Sequence, residues 1–119
     1  ASAADAAGGA SGGLNELVTK KNAENVVVVW SKSWCPYCLQ VKKLFDKMGV
    51  EYMAVEIDKF HEEQDIMTAL VGLTQQRTVP NVFVGGQHVG GCDDTMAKHR
   101  SGELAKMLES AGVTDIKQA

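Results

Sequence analysis

A continuous apolar run of four β-branched valines and a tryptophan, VVVVW at positions 26–30, is followed closely by a C-P-Y-C run at positions 35–38. Such an unbroken apolar run is typical of a strand buried on both faces. Pro36 suits the first position of a helix, where its missing N–H costs nothing. The two runs together predict a strand-to-helix turn that carries two cysteines.

The residues after the cysteines extend this pattern into a larger unit. The predicted helix carries an apolar stripe at helical spacing and ends at Gly49. Residues 52–57 alternate well enough to form a second strand. The sequence therefore predicts a strand–helix–strand crossover with the cysteine pair at its first turn.

Further elements are predicted on both sides of this crossover. Residues 14–23 repeat apolar positions at helical spacing, residues 66–73 do the same, and residues 104–111 form the last such pattern. Two short strands are predicted at 81–84 and 88–90, joined by a Gly-Gly turn. We predict an α/β fold, in which a central sheet of about four strands is flanked by helices on both faces.

The domain organisation follows from length and local composition. A chain of 119 residues supports one domain, because two halves would each be too small for a proper core. Residues 1–13 contain only Ala, Ser, Gly and one Asp, so they cannot bury enough apolar surface to offset ordering entropy. We predict a disordered tail over residues 1–13 and one folded domain over residues 14–119.

Charge and cysteine content exclude several classes of protein. The net charge is −3 and the basic residues are scattered, which disfavours a nucleic-acid partner. The longest apolar run is far shorter than a bilayer-spanning segment, so no membrane association is expected. Three cysteines are too few, and odd in number, for a secreted disulfide framework. We expect an intracellular, reducing compartment.

Cys35 stands where the helix begins, which is a position that favours a reactive thiolate. Unsatisfied N–H groups of the first turn can donate hydrogen bonds to its sulfur, and the helix dipole adds roughly 0.3–1 kcal/mol. Lys32 adds a nearby positive charge. Cys38 lies one turn inside the helix, more buried and less ionised. We predict that Cys35 attacks a disulfide and that Cys38 resolves the product.

Two other interpretations of the cysteine pair are weaker. Half of a zinc site would need two more ligands from Cys92 or the histidines at 61, 88 and 99, whose spacing forms no second ligand pair. A structural disulfide would close a loop of four residues and constrain the unfolded chain little. Dithiol redox chemistry is therefore favoured, and no metal site is predicted.

The C-P-Y-C run, T-V-P at 78–80 and G-G-C-D-D at 90–94 occur in an order that resembles the dithiol glutaredoxins, over residues 14–111. The resemblance implies a thioredoxin-like fold with Pro80 in the cis form, facing the cysteines; from the residues alone, a trans bond is the default. It also implies a monomeric, glutathione-dependent thiol–disulfide oxidoreductase with glutathione as co-substrate and no tightly bound cofactor. Its expected partners are glutathionylated and disulfide-containing proteins. The tryptophan directly before Cys35, Trp34, is similar to the plastid-type plant members of the family. We therefore expect the protein to lie in the cytoplasm or the plastid stroma.

The same resemblance implies where glutathione binds. Lys32 would meet its glycyl carboxylate, and the backbone of Val79 would pair with the tripeptide as an added strand. Residues 91–93, which open a helix, would hold the γ-glutamyl end, and Tyr37 would pack beside the bound sulfur. The glutathione-binding residues implied in this way are Lys32, Tyr37, Thr78, Val79, Pro80, Gly91, Cys92, Asp93 and Asp94.

Several of these residues also have simpler interpretations. Lys32 could be a solvated surface lysine, and Asp93 could be only the N-cap of a helix. Tyr37 could be a plain exposed aromatic. Cys92 could be a small apolar filler or a third thiol open to glutathionylation.

The sequence departs from the family pattern at two positions. Met67 stands where many relatives carry a Gln that reaches the glycyl carboxylate, and Gln64 or Arg77 could take over that role. Gln75 stands where relatives often have Gly. A second function known in the family is an iron–sulfur cluster carrier or sensor, formed by a glutathione-bridged dimer. Pro36 disfavours this alternative, because a small residue at that position favours clusters.

Overall fold

The computed structural model describes the backbone of residues 3–117 and the side chains of residues 14–117. It contains four strands, five α-helices and one short 3₁₀ turn within that range. In chain order these are α1 (Ala3–Glu24), β1 (Val27–Ser31), α2 (Pro36–Met48), β2 (Met53–Glu56), the 3₁₀ turn (Ile57–Lys59), α3 (Glu63–Thr74), β3 (Asn81–Val84), β4 (Gln87–Gly90), α4 (Cys92–Ser101) and α5 (Glu103–Ser110).

The four strands form one mixed sheet in the order β2-β1-β3-β4. Strand β1 pairs with β2 in parallel and with β3 in antiparallel orientation, and β3 pairs with β4 as a hairpin. The predicted crossover and the predicted four-stranded sheet are therefore confirmed. All five residues of β1 are buried, so the strand that leads into the cysteines is the best-protected strand of the sheet.

Each face of the sheet carries its own core, because successive side chains of a strand point to opposite faces. Val27 and Val29 pack on one face with residues of α2 and α5. Val28 and Trp30 pack on the other face with residues of α1 and α3. The indole N–H of Trp30 also donates a buried hydrogen bond of 2.9 Å to Asn22 Oδ1, which holds α1 against β1.

The first helix starts earlier than its apolar pattern indicates. The backbone is helical from Ala3, whereas the sequence predicts a disordered tail over residues 1–13. Alanine has the highest helix propensity of all residues, which favours helix in this Ala-rich stretch. Ala1 and Ser2 lie outside the described residues, and the predicted domain boundary at residue 14 stays a prediction.

Two other boundaries differ from the prediction. Strand β2 ends at Glu56, and Ile57 begins the 3₁₀ turn instead of continuing the strand to residue 57. The last third of the chain holds two helices, since α4 ends at Ser101 and is followed by the C-cap residue Gly102, which has a φ of +86°. Glycine adopts this left-handed conformation without the steric penalty that other residues incur.

In the range that the structure describes, no helix has both the length and the apolar character needed to cross a bilayer.

Candidate active site

Cys35 is the N-cap residue of α2, at the turn that leaves the buried strand β1. The backbone N–H of Cys38 donates to its sulfur at 3.3 Å, as expected for a helix N-terminus that stabilises a thiolate. Cys35 as a residue is 8% exposed, whereas Cys38 is completely buried. Both cysteines are free thiols. Both residues are therefore enclosed, and Cys35 is the less enclosed of the two.

Burial raises the pKa of Cys38 to about 11, and its hydrogen bond with Cys35 acts in the same direction. Cys38 is therefore a neutral thiol near pH 7. Because its ordinary pKa is 9.0, the stability that this shift contributes is full below pH 9 and is lost as the pH rises to about 11. The predicted greater burial of Cys38 matches this environment, and the assignment of roles to the two cysteines stays a prediction.

The segment that faces the cysteines contains a cis peptide bond between Val79 and Pro80, as the resemblance implies. The thiol of Cys35 donates to the backbone carbonyl of Val79 at 3.8 Å. In the described part of the chain, the backbone N–H of Val79 donates no backbone hydrogen bond. Val79 thus offers a free N–H close to the Cys35 sulfur.

A cavity of about 610 Å³ lies between this segment and the start of α4, and we call it the α4 cavity. Helix α4 is preceded by Gly91 at its N-cap, and no side chain caps it. Its first N–H groups are therefore available to an anionic ligand. The cavity is lined by eight of the predicted glutathione-binding residues and by one further residue; they are Tyr37, Gln76, Thr78, Val79, Pro80, Gly91, Cys92, Asp93 and Asp94.

Asp93 and Asp94 lie in the first turn of α4, after the N-cap. The alternative in which Asp93 is the N-cap is therefore wrong, since Gly91 holds that position. Carboxylates in a first turn are favoured by the helix dipole. Here they also line the α4 cavity, where they can meet a positively charged group of a ligand.

Gln76 is the lining residue that the sequence did not predict. Its side-chain Nε2 donates to the carbonyl oxygens of Thr78 at 2.9 Å and of Pro80 at 2.8 Å. These two bonds bracket Val79 and hold the orientation of its peptide groups. A glutamine placed shortly before T-V-P is the only sequence signal, and it does not by itself indicate such a contact.

Lys32 does not line the α4 cavity. It lies in a second cavity of about 330 Å³, which we call the α3 cavity. The structure brings Lys32 together there with Arg77 and Gln64, the two residues expected to compensate for Met67. The full lining is Lys32, Gln64, Met67, Thr68, Val71 and Arg77.

Two neighbours fix the position of the Lys32 side chain. Its Nζ atom is 3.2 Å from Oε2 of Glu63. It also lies 5.9 Å from the centre of the Trp34 ring, within the range of a cation–π contact. Lys32 is thus a paired cation, neither a freely solvated surface lysine nor an unoccupied anion site.

The loop that carries these residues is held by an acidic residue that the sequence analysis missed. Asp58 accepts hydrogen bonds from the backbone N–H of Ser33 at 2.9 Å and from its hydroxyl at 2.5 Å. These bonds lower the pKa of Asp58. The contact joins residues 25 positions apart, and no local pattern indicates it.

Cys92 lines the α4 cavity but is largely enclosed. Its thiol donates to Gln40 Oε1 at 3.6 Å. Burial raises the pKa of Cys92, and the charges of Asp93 and Cys35 act in the same direction. This thiol is therefore less ionised than an ordinary cysteine and is a poor nucleophile.

The described residues contain no group of three or more His, Cys, Asp or Glu side chains placed to hold a metal ion. His88 is bound elsewhere: its Nε2 lies 2.7 Å from Asn81 Oδ1.

Comparisons with known proteins agree with this geometry. The glutaredoxin family model matches residues 27–89. A glutaredoxin from Ricinus communis is 54% identical over 90 residues, which cover 76% of this chain and 88% of the relative. Glutaredoxin-C4, chloroplastic, from Oryza sativa subsp. japonica is 48% identical over 76% of this chain and 68% of its own length. The crystal structure of a buckwheat glutaredoxin–glutathione complex superposes with a TM-score of 0.84 at 45% identity, covering 86% of this chain and 93% of the other.

Proposed function

Because the chain belongs to the glutaredoxin family, we propose that Cys35 accepts glutathione from protein–glutathione mixed disulfides and that Cys38 resolves protein disulfides. The chain is an enzyme of the glutathione-dependent oxidoreductase class that this family represents. The observation that carries the assignment of roles is the contrast between the two thiols. Cys35 lies at the helix N-terminus beside an open cavity, and Cys38 is buried with its pKa raised to about 11.

The first step transfers glutathione to the enzyme. The Cys35 thiolate attacks the glutathione sulfur of the mixed disulfide, so a Cys35–glutathione disulfide forms and the original disulfide breaks. The substrate protein leaves as a thiolate and takes a proton from water. The enzyme cysteine is oxidised and the substrate cysteine is reduced.

The second step restores the enzyme. The thiolate of a second glutathione attacks the glutathione sulfur on Cys35, which releases oxidised glutathione and the Cys35 thiolate. When the substrate is a protein disulfide, Cys38 attacks Cys35 in the mixed disulfide instead. Two glutathione molecules then reduce the Cys35–Cys38 bond.

We further propose that glutathione lies across both cavities, with its sulfur at Cys35. The free N–H and the carbonyl of Val79 pair with the cysteinyl backbone, as in strand addition. The open N-terminus of α4 receives the γ-glutamyl carboxylate, and Asp93 and Asp94 receive the ammonium group. Lys32 meets the glycyl carboxylate at the α3 cavity. The buckwheat relative forms a complex with glutathione, which supports glutathione as the ligand.

We also propose the protein substrates, the oligomeric state and the compartment of this enzyme. The substrates are glutathionylated and disulfide-containing proteins, and the enzyme works as a monomer with no tightly bound cofactor. Free thiols that cycle need a reducing compartment, so we propose the cytoplasm or the plastid stroma. The chloroplastic relative in rice supports the plastid as one of these sites.

The test is glutathione-dependent reduction of the mixed disulfide formed from glutathione and β-hydroxyethyl disulfide. We expect wild type and Cys38→Ser to be active and Cys35→Ser to be inactive, because only Cys35 forms the glutathione adduct. Reduction of a protein disulfide should be lost in both variants. Full activity of Cys35→Ser with the mixed disulfide would overturn the assignment.

A further inference from the structure

The cation of the α3 cavity is already engaged by a carboxylate of the chain itself. Lys32 Nζ and Glu63 Oε2 are 3.2 Å apart, and the Lys32 side chain is only 20% exposed. Glu63 is the first residue of α3 and is 41% exposed. The pair therefore sits at the rim of the cavity, where the cation is shielded and the anion is not.

The lining of the α3 cavity has the chemistry of a carboxylate site. Lys32 and Arg77 bring two positive charges to it, and the side-chain amide of Gln64 can donate a hydrogen bond. In the described part of the chain, Arg77 forms no ion pair. A carboxylate entering the cavity would thus meet one available cation and one that Glu63 has largely neutralised.

We propose that Glu63 competes with the substrate's carboxylate for Lys32, and that it is a specificity-determining residue of this enzyme. The inference rests on the proposed function. An incoming carboxylate shares the single charge of Lys32 with Glu63 and is repelled by the Glu63 carboxylate. Glu63 therefore weakens the binding of thiols that end in a free carboxylate, relative to thiols in which that group is masked or absent.

Trp34 keeps the Lys32 side chain in position when the charge of Glu63 is removed. Its ring lies 5.9 Å from Lys32 Nζ and remains a partner of the ammonium group when the carboxylate is gone. Removing the charge of Glu63 therefore leaves a positioned cation. The free cation then attracts the substrate carboxylate more strongly than the pair does.

Glu63 also stabilises the start of α3, and this structural role must be distinguished from its competition for Lys32. An acidic residue in the first helical turn is favoured by the helix dipole, whatever its partner. Glu62 occupies the N-cap position directly before it, feels the same dipole, and forms no ion pair in the described part of the chain. Glu62→Gln is thus a matched control that removes the same charge one residue away from the pair.

The experiment is a single turnover of the reduced protein with a neutral, end-capped peptide whose cysteine carries glutathione. A second peptide carries glutathione whose glycyl carboxylate is an ethyl ester. Release of the peptide thiol is followed at increasing peptide concentration, which gives a half-saturation concentration and a limiting rate. Wild type, Glu63→Gln and Glu62→Gln are compared with both peptides.

For the free-carboxylate peptide, we expect Glu63→Gln to lower the half-saturation concentration about two- to five-fold, the range of an exposed ion pair. The limiting rate should not change, because the Cys35 sulfur is untouched. The ester peptide should show no such gain, and Glu62→Gln should behave as wild type with both peptides.

Two results would overturn the proposal while leaving the proposed function intact. One is equal behaviour of Glu63→Gln and Glu62→Gln. The other is the same gain with the ester as with the free carboxylate. Failure of wild type to release the peptide at all would instead contradict the proposed function.

Discussion

The two cavities beside Cys35 differ in how their binding groups are held. The α4 cavity is built largely from backbone: the peptide groups around Val79 are fixed by Gln76, and the first turn of α4 has no side-chain cap. The α3 cavity relies on the long side chains of Lys32 and Arg77, and one of these is already paired. Backbone groups give a site of fixed shape, whereas paired side chains give an affinity that one substitution can change.

The largest effect should come from deforming the α4 side at Gly90. Gly90 has a φ of +125°, and a Cβ there would lie 2.4 Å from Oδ2 and 2.7 Å from Cβ of Asp94. Gly90→Ala should therefore displace the start of α4, and we expect it to lower the free energy of unfolding by about 3 kcal/mol. Urea unfolding measures this loss, and the half-saturation concentration for glutathionylated peptide should rise more than tenfold.

Gly86→Ala is the matched control for backbone strain. Gly86 also has a positive φ, +79°, but a Cβ there meets nothing within 4 Å. The Gly86→Ala substitution should lower the free energy of unfolding by about 1–2 kcal/mol and leave peptide binding unchanged. If Gly86→Ala weakens binding as much as Gly90→Ala does, the α4 cavity is not the fixed-shape site described above.

A smaller effect is expected from releasing the Val79 segment while keeping the cavity intact. Gln76→Met keeps the side-chain length and removes both hydrogen bonds to the carbonyls of Thr78 and Pro80. We expect the half-saturation concentration for glutathionylated peptide to rise about tenfold, because each of the two bonds contributes about 0.7 kcal/mol to holding the segment. Single-turnover kinetics measure this half-saturation concentration, and the limiting rate should change little.

Gln75→Met is the control for this substitution, since Gln75 is the exposed neighbour and its side chain forms no hydrogen bond in the described part of the chain. Equal effects of the two methionine variants would show that Gln76 does not position Val79.

The smallest effect should be found on the α3 side, in the loop that carries Lys32 and Trp34. The hydrogen bonds from Ser33 lower the pKa of Asp58 below its ordinary value of 3.8. The stability from this contact is therefore present above pH 4 or so and is lost as the pH falls through the lowered pKa. Asp58→Asn should be less stable than wild type at pH 7, and the difference should shrink at pH 3.

Urea unfolding at both pH values measures this difference. Asp65→Asn changes a nearby carboxylate that forms no hydrogen bond in the described residues. It should show a smaller pH-dependent gap, because only the dipole of α3 acts on it. A gap that stays constant between pH 7 and pH 3 would contradict the role given to the Asp58 carboxylate.

The fold could be predicted well because its signals are local. The run at 26–30, Pro36 at the start of α2 and Gly49 at its end each determine one element through neighbouring residues. The boundary between α4 and α5 was missed, because Gly102 lies in a polar stretch without an apolar pattern.

The candidate site was predicted only in part, for the opposite reason. The predicted residues of the α4 cavity belong to short motifs, and the resemblance to the glutaredoxins implied that these motifs form one site. The pairs Lys32–Glu63 and Ser33–Asp58 join different elements, and no spacing within the sequence indicates them. Gln76 was missed although it is close in sequence, because its contacts depend on the path of the backbone around Pro80.

The position of Cys38 in the first turn of α2 also determines what can reach the second thiol. Cys38 is completely buried there, whereas Cys35 is the N-cap residue in front of it. Oxidants and alkylating reagents in solution therefore meet Cys35 first, and they reach Cys38 only when the start of α2 opens. The resolving thiol is reserved for a partner that is already attached to its neighbour.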